Sequence, residues 1–332
     1  MRRGGQGNQD PLGRVRPRDR WSLAVLGVFW AVVTALIAAK VAGETVDDFF
    51  ITYRYSQNLL AGHGFVFNPG ERVFGTTAPG WGLLVAGVSF VTGLAPAVAG
   101  TVASAVSLLF VAGWLAWKGL LKGRLPEAAL AGSLMLTSSF LWVHNGSEAF
   151  ASTALLVLAA TLMEHHPGKA GTLAGLAAWM RPETALAGLL LAFLGWRWER
   201  RLPLRYVAVF AAVVGLGLVW AWLYFGSPLP NTLHAKRLQA AWNPEVWASG
   251  RAFWREAWHW LSVAYAGPWI SVLVIGGAAG GLSLLRSRQR ALVLLAAYAL
   301  ALLVAYPLLG VPFYTWYAIP ILITLLYGLA YL

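Results

Sequence analysis

Apolar residues run through this chain in long blocks separated by short polar bends. A helix needs about 20 apolar residues to span a bilayer. Clear blocks lie at 21–43, 97–117, 126–143, 148–163, 204–225, 263–284, 291–309 and 312–332. The stretch 169–196 is interrupted by Arg181-Pro182-Glu183. Proline removes a backbone donor and clashes with the preceding turn. Two short helices, 169–180 and 183–196, are therefore expected to meet at a polar elbow. The pattern predicts an all-α polytopic membrane protein.

Composition agrees. The chain is 58% apolar and only 11% charged, where a soluble domain carries about 25% charged residues, and its mean hydropathy is +0.63. It has no cysteine, which excludes thiol nucleophiles and thiolate metal sites. The net charge of +12 does not point to nucleic acid, because the basic residues recur in short clusters between apolar blocks rather than in one patch. Trp242, Trp247, Trp254, Trp258 and Trp260 fit an interfacial aromatic belt. Arg2, Arg3, Arg14, Arg16, Arg18 and Arg20 precede a first block far longer than the roughly 7–15 residue core of a signal peptide. Residues 1–20 then form a basic cytoplasmic tail, and 21–332 one transmembrane domain.

Charge also sets the expected topology. If the block 79–94 crossed the bilayer, Lys118, Lys122 and Arg124 would lie outside. Placed as a juxtamembrane helix in the outer leaflet, it leaves every basic cluster inside: the N-terminus, Lys118–Arg124, His165–Lys169, Arg197–Arg205 and Arg286–Arg290. About ten transmembrane helices follow, with both ends in the cytoplasm. The outer face carries the loops 44–96 and 226–262, the bend His144–Glu148 and the Arg181–Glu183 elbow.

The first outer loop opens on paired carboxylates, Asp47 and Asp48. Charge at a membrane rim is costly and points to function. Ile51, Tyr55 and Leu59 repeat at helical spacing, with Asp47 or Asp48 as N-cap and Gly62 as the stop. A cap needs one carboxylate; two can act as a base and its partner, their repulsion pushing the pKa values apart. Phe65–Val73, centred on Pro69-Gly70, reads as a hairpin with a type II turn.

Residues 47–81, DDFFITYRYSQNLLAGHGFVFNPGERVFGTTAPGW, resemble the first periplasmic loop of bacterial GT-C glycosyltransferases related to cell-wall arabinofuranosyltransferases. NGSEAF at 145–150, RPET at 181–184 and SPLPNTLHAKR at 227–237 resemble later family segments in the same order. The resemblance implies a GT-C-like bundle in the bacterial inner membrane. It also implies a polyprenyl-phosphate sugar donor and inverting transfer to a glycan, lipid or protein acceptor on the outer face. Family members usually end in a soluble outer domain, which would need another span beyond Leu332. Phe49, Ser147 and Thr76 replace the family's usual residues, which bears on the sugar rather than on the reaction.

Such transfer needs a base for the acceptor hydroxyl, cations for the departing phosphate and polar groups for the sugar. Asp47 is the first choice as base and Asp48 the second, with Glu148 as a third catalytic carboxylate. Arg54, Arg181, His234, Lys236 and Arg237 are the phosphate candidates; His63, Glu148, Glu183 and Asn231 are the sugar candidates. Blander roles stand beside these. Arg181 can snorkel at a helix end, Glu148 can cap a helix, His144 and His234 can sit at the interface, and Lys236-Arg237 can touch lipid phosphates. Gly171-x-x-x-Gly175 and the Gly276–Gly281 cluster read as helix-packing surfaces. No cofactor is expected, although Asp47, Asp48 and Glu148 leave a divalent cation open. A transporter or flippase of a lipid-linked saccharide, and a non-catalytic scaffold with a membrane protein partner, are the alternatives.

Overall fold

The computed structural model of the protein describes residues 16–41, 45–243, 247, 249–250, 252–265, 269–287 and 289–332. Arg2, Arg3 and Arg14 of the basic tail, and Glu44 at the start of the first outer loop, lie outside the described residues. The chain runs through α1 (Pro17–Lys40), α2 (Asp48–Leu60), α3 (Pro79–Thr92), α4 (Pro96–Leu120), α5 (Leu125–Leu136), α6 (Ser139–Val143) and α7 (Glu148–Leu162). It continues through α8 (Pro167–Met180), α9 (Thr184–Glu199), α10 (Leu204–Phe225), α11 (Thr232–Trp242) and α12 (Ala252–Ala264). The last elements are α13 (Trp269–Ser271), α14 (Gly277–Leu284), α15 (Arg290–Leu309) and α16 (Ile319–Ala330). No strand occurs among the described residues.

Among the described residues four helices, α1, α4, α10 and α15, are long and apolar enough to cross a bilayer. Only 11% of the apolar window of α1 and 17% of that of α10 are buried. Such large apolar faces are stable in hydrocarbon and costly in water. The shared core lies between α4, α5, α7, α15 and α16, around Leu108, Met135, Phe150, Tyr298 and Ile323.

Both glycine clusters act as packing surfaces. On α8, a Cβ at Gly171 would lie 2.6 Å from the Tyr206 carbonyl of α10, and one at Gly175 would lie 2.6 Å from Val213. On α14, a Cβ at Gly280 would fall on the backbone of Gly328 in α16. Small residues let these helix backbones approach closely.

Charged residues gather at both ends of the bundle. At one end Arg290 pairs with Glu164 at 3.1 Å and Glu199 at 2.7 Å, Arg205 lies against Gly168, and Arg124 sits over Tyr331 at 5.4 Å. The opposite end carries the starts of α2, α7 and α9.

Three sequence expectations change. The block 126–143 is not one helix: it breaks at Thr137-Ser138, where Ser138 caps α6 through Leu141 N. The block 312–332 begins irregularly, passes through a 3-10 turn at Thr315–Ala318, and becomes α-helical only at Ile319. Phe65–Val73 keeps its turn, with Glu71 N donating to Asn68 O at 3.1 Å and Gly70 at φ 87°, but no strands flank it.

The helix after the paired aspartates forms, yet Ile51 is exposed and the buried face reads Phe49, Thr52, Tyr53, Tyr55, Ser56 and Asn58. That face is polar because it holds the rest of the loop. Asn58 Nδ2 donates to Val66 O at 2.9 Å and Phe67 O at 2.7 Å. Tyr55 Oη donates to Val73 O at 2.6 Å and accepts from Gly75 N at 2.9 Å.

Candidate functional site

The Asn145-Gly146-Ser147-Glu148 bend is pinned to the first outer loop. Tyr53 Oη donates to Gly146 O at 2.8 Å, and Trp81 Nε1 donates to the same carbonyl at 3.1 Å. Thr45 Oγ1 donates to Asn145 O at 2.8 Å. Gly146 has φ 110°, and a Cβ there would stand 2.6 Å from Tyr53 Oη. Ser147, not Glu148, caps α7: its Oγ accepts from Ala149 N at 3.1 Å. The Glu148 carboxylate is therefore released from capping.

Asp48 and Glu148, a hundred residues apart in sequence, line one cavity of about 240 Å³. Lys236 of α11 lines it as well, together with Thr76, Tyr314 and Trp316. Lys236 Nζ donates to Tyr317 Oη at 2.9 Å. It lies 4.5 Å from the centre of the Tyr314 ring, 5.2 Å from that of Tyr317 and 5.9 Å from that of Trp316. An ammonium over aromatic faces is attracted by their quadrupoles, so the cation is held at the cavity wall.

Arg181 stands behind Glu148. Its extended backbone before Pro182 ends α8, and its side chain turns inward with 3% exposure. Its Nε donates to Glu183 Oε1 at 2.7 Å, and its Nη1 lies 3.4 Å from Glu148 Oε1. Tyr306 Oη also donates to Glu183 Oε1, at 2.8 Å. Arg181 is thus a buried partner of two carboxylates, not a snorkelling arginine. Glu183 is occupied by Arg181 and Tyr306, and neither Arg181 nor Glu183 lines the cavity.

The other candidates disperse. Asp47 and Asp48 are both exposed at the surface, but only Asp48 lines the cavity; the Asp47 carboxylate accepts from Asp48 N at 2.9 Å. Arg54 is exposed, its Nε donating to Phe67 O at 3.3 Å. His63 and His234 are exposed and outside the cavity. Asn231 acts through its backbone, donating to Phe74 O at 3.0 Å. Arg237 Nε donates to Leu309 O at 3.1 Å. His144 is buried, not interfacial: its ring nitrogens meet Phe140 O at 2.7 Å and Thr315 Oγ1 at 2.6 Å. Among the described residues no three His, Asp or Glu side chains stand together as a metal site.

Electrostatics at the cavity follow from enclosure. Burial raises the Asp48 pKa above its ordinary value, Asp47 raises it further, and Lys236 opposes both. Burial lowers the Lys236 pKa below the usual lysine value, with Glu183 and Asp48 among the groups that pull it back up. Burial pushes His144 down to about 4, so its ring is neutral at pH 7.

The segment Tyr314–Tyr317 and Tyr306 were not among the expected site residues. Their signal was the mixed polar and aromatic run Phe313-Tyr314-Thr315-Trp316-Tyr317 after Gly310, which an apolar count absorbs into a span.

The chain matches no protein-family model, no curated protein and no solved structure.

Proposed function

We propose that the protein is a membrane glycosyltransferase of GT-C type that moves a sugar from a polyprenyl phosphate to an acceptor hydroxyl on the outer face. The carrying observation is that Asp48, Glu148 and Lys236, from three of the four segments that resemble the family, line one cavity. The fourth segment supplies Arg181, which holds Glu148 from behind. The base passes from Asp47 to Asp48, because Asp48 is the one that reaches the cavity.

In this reading the acceptor oxygen attacks the anomeric carbon with a lone pair. Its proton goes to the Asp48 carboxylate. The bond from the anomeric carbon to the phosphate oxygen breaks, and its electron pair leaves with the phosphate. Lys236 neutralises the charge that grows there. A single base with in-line attack gives inversion. Glu148, steadied by Arg181, orients the sugar hydroxyls. A second cavity of about 220 Å³ shares Thr77 with the first and is walled by Trp179, Trp220, Leu229 and Pro230. It suits the start of a prenyl chain.

The same reading gives about ten spans, with the short helices α5, α7, α8, α9, α14 and α16 crossing as parts of the bundle. The basic end then faces the cytoplasm, in a bacterial inner membrane. The buried Arg181 with the half-buried Glu148 and Glu183 also suits a carrier of a lipid-linked saccharide, where paired charges sit between helices.

One experiment separates the two. The full chain in lipid nanodiscs receives a radiolabelled synthetic polyprenyl-phosphate sugar. Asp48→Asn should lose about 10²–10⁴-fold in transfer, the scale of a general base, with donor binding retained. Transfer by Asp48→Asn at the native rate would overturn the base assignment. Transbilayer movement of donor by a protein that never transfers sugar would favour the carrier.

A further inference from the structure

A third cavity, of about 540 Å³, adjoins the first. The two share Tyr314 and Trp316. Those rings stack on each other at 4.7 Å, and Phe49 meets Trp316 edge-on at 6.1 Å. The start of α2 runs along the same boundary, with Val46 lining the third cavity and Asp48 the first.

The two chambers differ in chemistry. The first sets the Lys236 ammonium opposite the carboxylates of Asp48 and Glu148, so a phosphate has one cation to meet there. The third is walled by the rings of Trp247, Trp260 and Phe313, with Ser139, Thr315 and the Glu256 carboxylate as polar groups. Glu256 is 30% exposed, and among the described residues its ion pair is with the neighbouring, exposed Arg255 at 3.6 Å, which leaves the carboxylate facing outward to a ligand. His144 and Thr315 hold each other at 2.6 Å, which fixes the wall. Unlike the first cavity, the third has no lysine or arginine among its described lining residues, so its carboxylate has no cation to offset it and disfavours an anionic occupant. Flat rings that cover an apolar sugar face, beside an acceptor for hydroxyl protons, fit a neutral carbohydrate.

We infer that the third cavity binds the non-reducing end of a neutral glycan acceptor, whose hydroxyl meets the donor at the Tyr314–Trp316 partition beside Asp48. The word acceptor rests on the proposed transferase activity; saccharide binding does not. Tyr314 already feels the Asp48 charge, which together with burial raises its pKa, so the partition and the base are electrostatic neighbours.

The test is saturation-transfer NMR on the full chain in nanodiscs, with soluble neutral trisaccharides of pentofuranose and of hexopyranose type as probes. At least one probe should receive saturation. Glu256→Gln should raise its Kd about tenfold, the loss expected for a hydrogen bond to a charged group. Trp260→Ala should do the same. Glu256→Gln is nearly isosteric, so it remains informative if Trp260→Ala fails to fold. Absence of binding by every probe would overturn the inference, as would binding that neither variant alters. A lysolipid probe that loses its signal in Trp260→Ala, with no saccharide signal, would assign the cavity to lipid and overturn it equally. Saccharide binding that depends on Glu256, in a protein that never transfers sugar, would keep the site and remove the transferase reading. Native acceptor KM in Glu256→Gln with transfer intact would do the reverse.

Discussion

At Asp48 burial and a like-charged neighbour act in the same direction, and both favour the protonated form. Asp48 accepts a proton only when ionised, so kcat/KM should rise with pH through a pKa above the ordinary aspartate value. Lys236 must be charged, and burial lowers its pKa, so activity should fall again on the alkaline side below the usual lysine range. The pH profile of sugar transfer should be a bell. Asp47→Asn should shift the acid limb to lower pH with kcat changed by no more than about threefold, since Asp47 contributes charge but no cavity wall. An unshifted limb would show that the two carboxylates do not interact. Linkage gives a second outcome. A folded-state pKa above the unfolded one means that ionising Asp48 destabilises the fold as pH rises through it. Asp48→Asn should therefore melt no lower than the native protein at pH 7 while losing activity. Arg181 behaves oppositely. Arg181→Met strands Glu148 and Glu183 near a buried site and should cost about 3–5 kcal/mol in denaturant unfolding. Adding Glu148→Gln and Glu183→Gln should restore most of that loss. The paired aspartates and the Arg181 elbow were visible in the sequence because charge beside apolar runs stands out. Which aspartate reaches the cavity was not, since adjacent helix positions point about 100° apart and only the packing of α2 fixes the direction.

Among the elements, helix contacts through glycine are the least forgiving. Gly280 of α14 meets the backbone of Gly328 in α16, and no rotamer change can relieve a clash with backbone. Gly280→Val should abolish folded protein in size-exclusion profiles. Gly113→Val in α4, where a side chain meets nothing within 4 Å, should be tolerated. Equal yields from both would contradict the α14–α16 packing. These glycine surfaces were legible from spacing alone, as was the elbow at Pro182, because each depends on one residue type with one physical effect. The break at Thr137-Ser138 was not legible. No proline or glycine marks it, and it is held by side-chain contacts: a distant one, Ser138 Oγ with Tyr265 Oη at 2.6 Å, and a local one across the break, Trp142 Nε1 donating to Leu136 O at 2.6 Å. The stripe Ile51, Tyr55 and Leu59 misled for a related reason. A helix that anchors its own loop buries hydrogen-bonding residues such as Asn58, Thr52 and Ser56, which an apolar periodicity does not count.

For the molecule as a whole, one end of the bundle is basic and the other holds the cavities. The chain contains no cysteine, so single cysteines report topology directly. A cysteine at Asn68 or Ser227 should react with an impermeant thiol reagent in intact spheroplasts, and one at Lys122 or Arg200 only after lysis. Lys122 labelled from outside would invert the orientation. The central claim is narrower than topology. A lipid-phosphate donor should place its phosphate beside Lys236 and its sugar between Asp48 and Glu148. The most direct measurement is a cryo-EM map of the full Asp48→Asn chain in nanodiscs with a synthetic polyprenyl-phosphate sugar. Phosphate density within hydrogen-bond reach of Lys236 Nζ, about 2.7–3.2 Å, with the prenyl chain leading past Thr77 toward Trp179 and Trp220, is the expected result. Donor density at the basic end near Arg124 and Arg290, with the Asp48 cavity filled only by solvent, would contradict it.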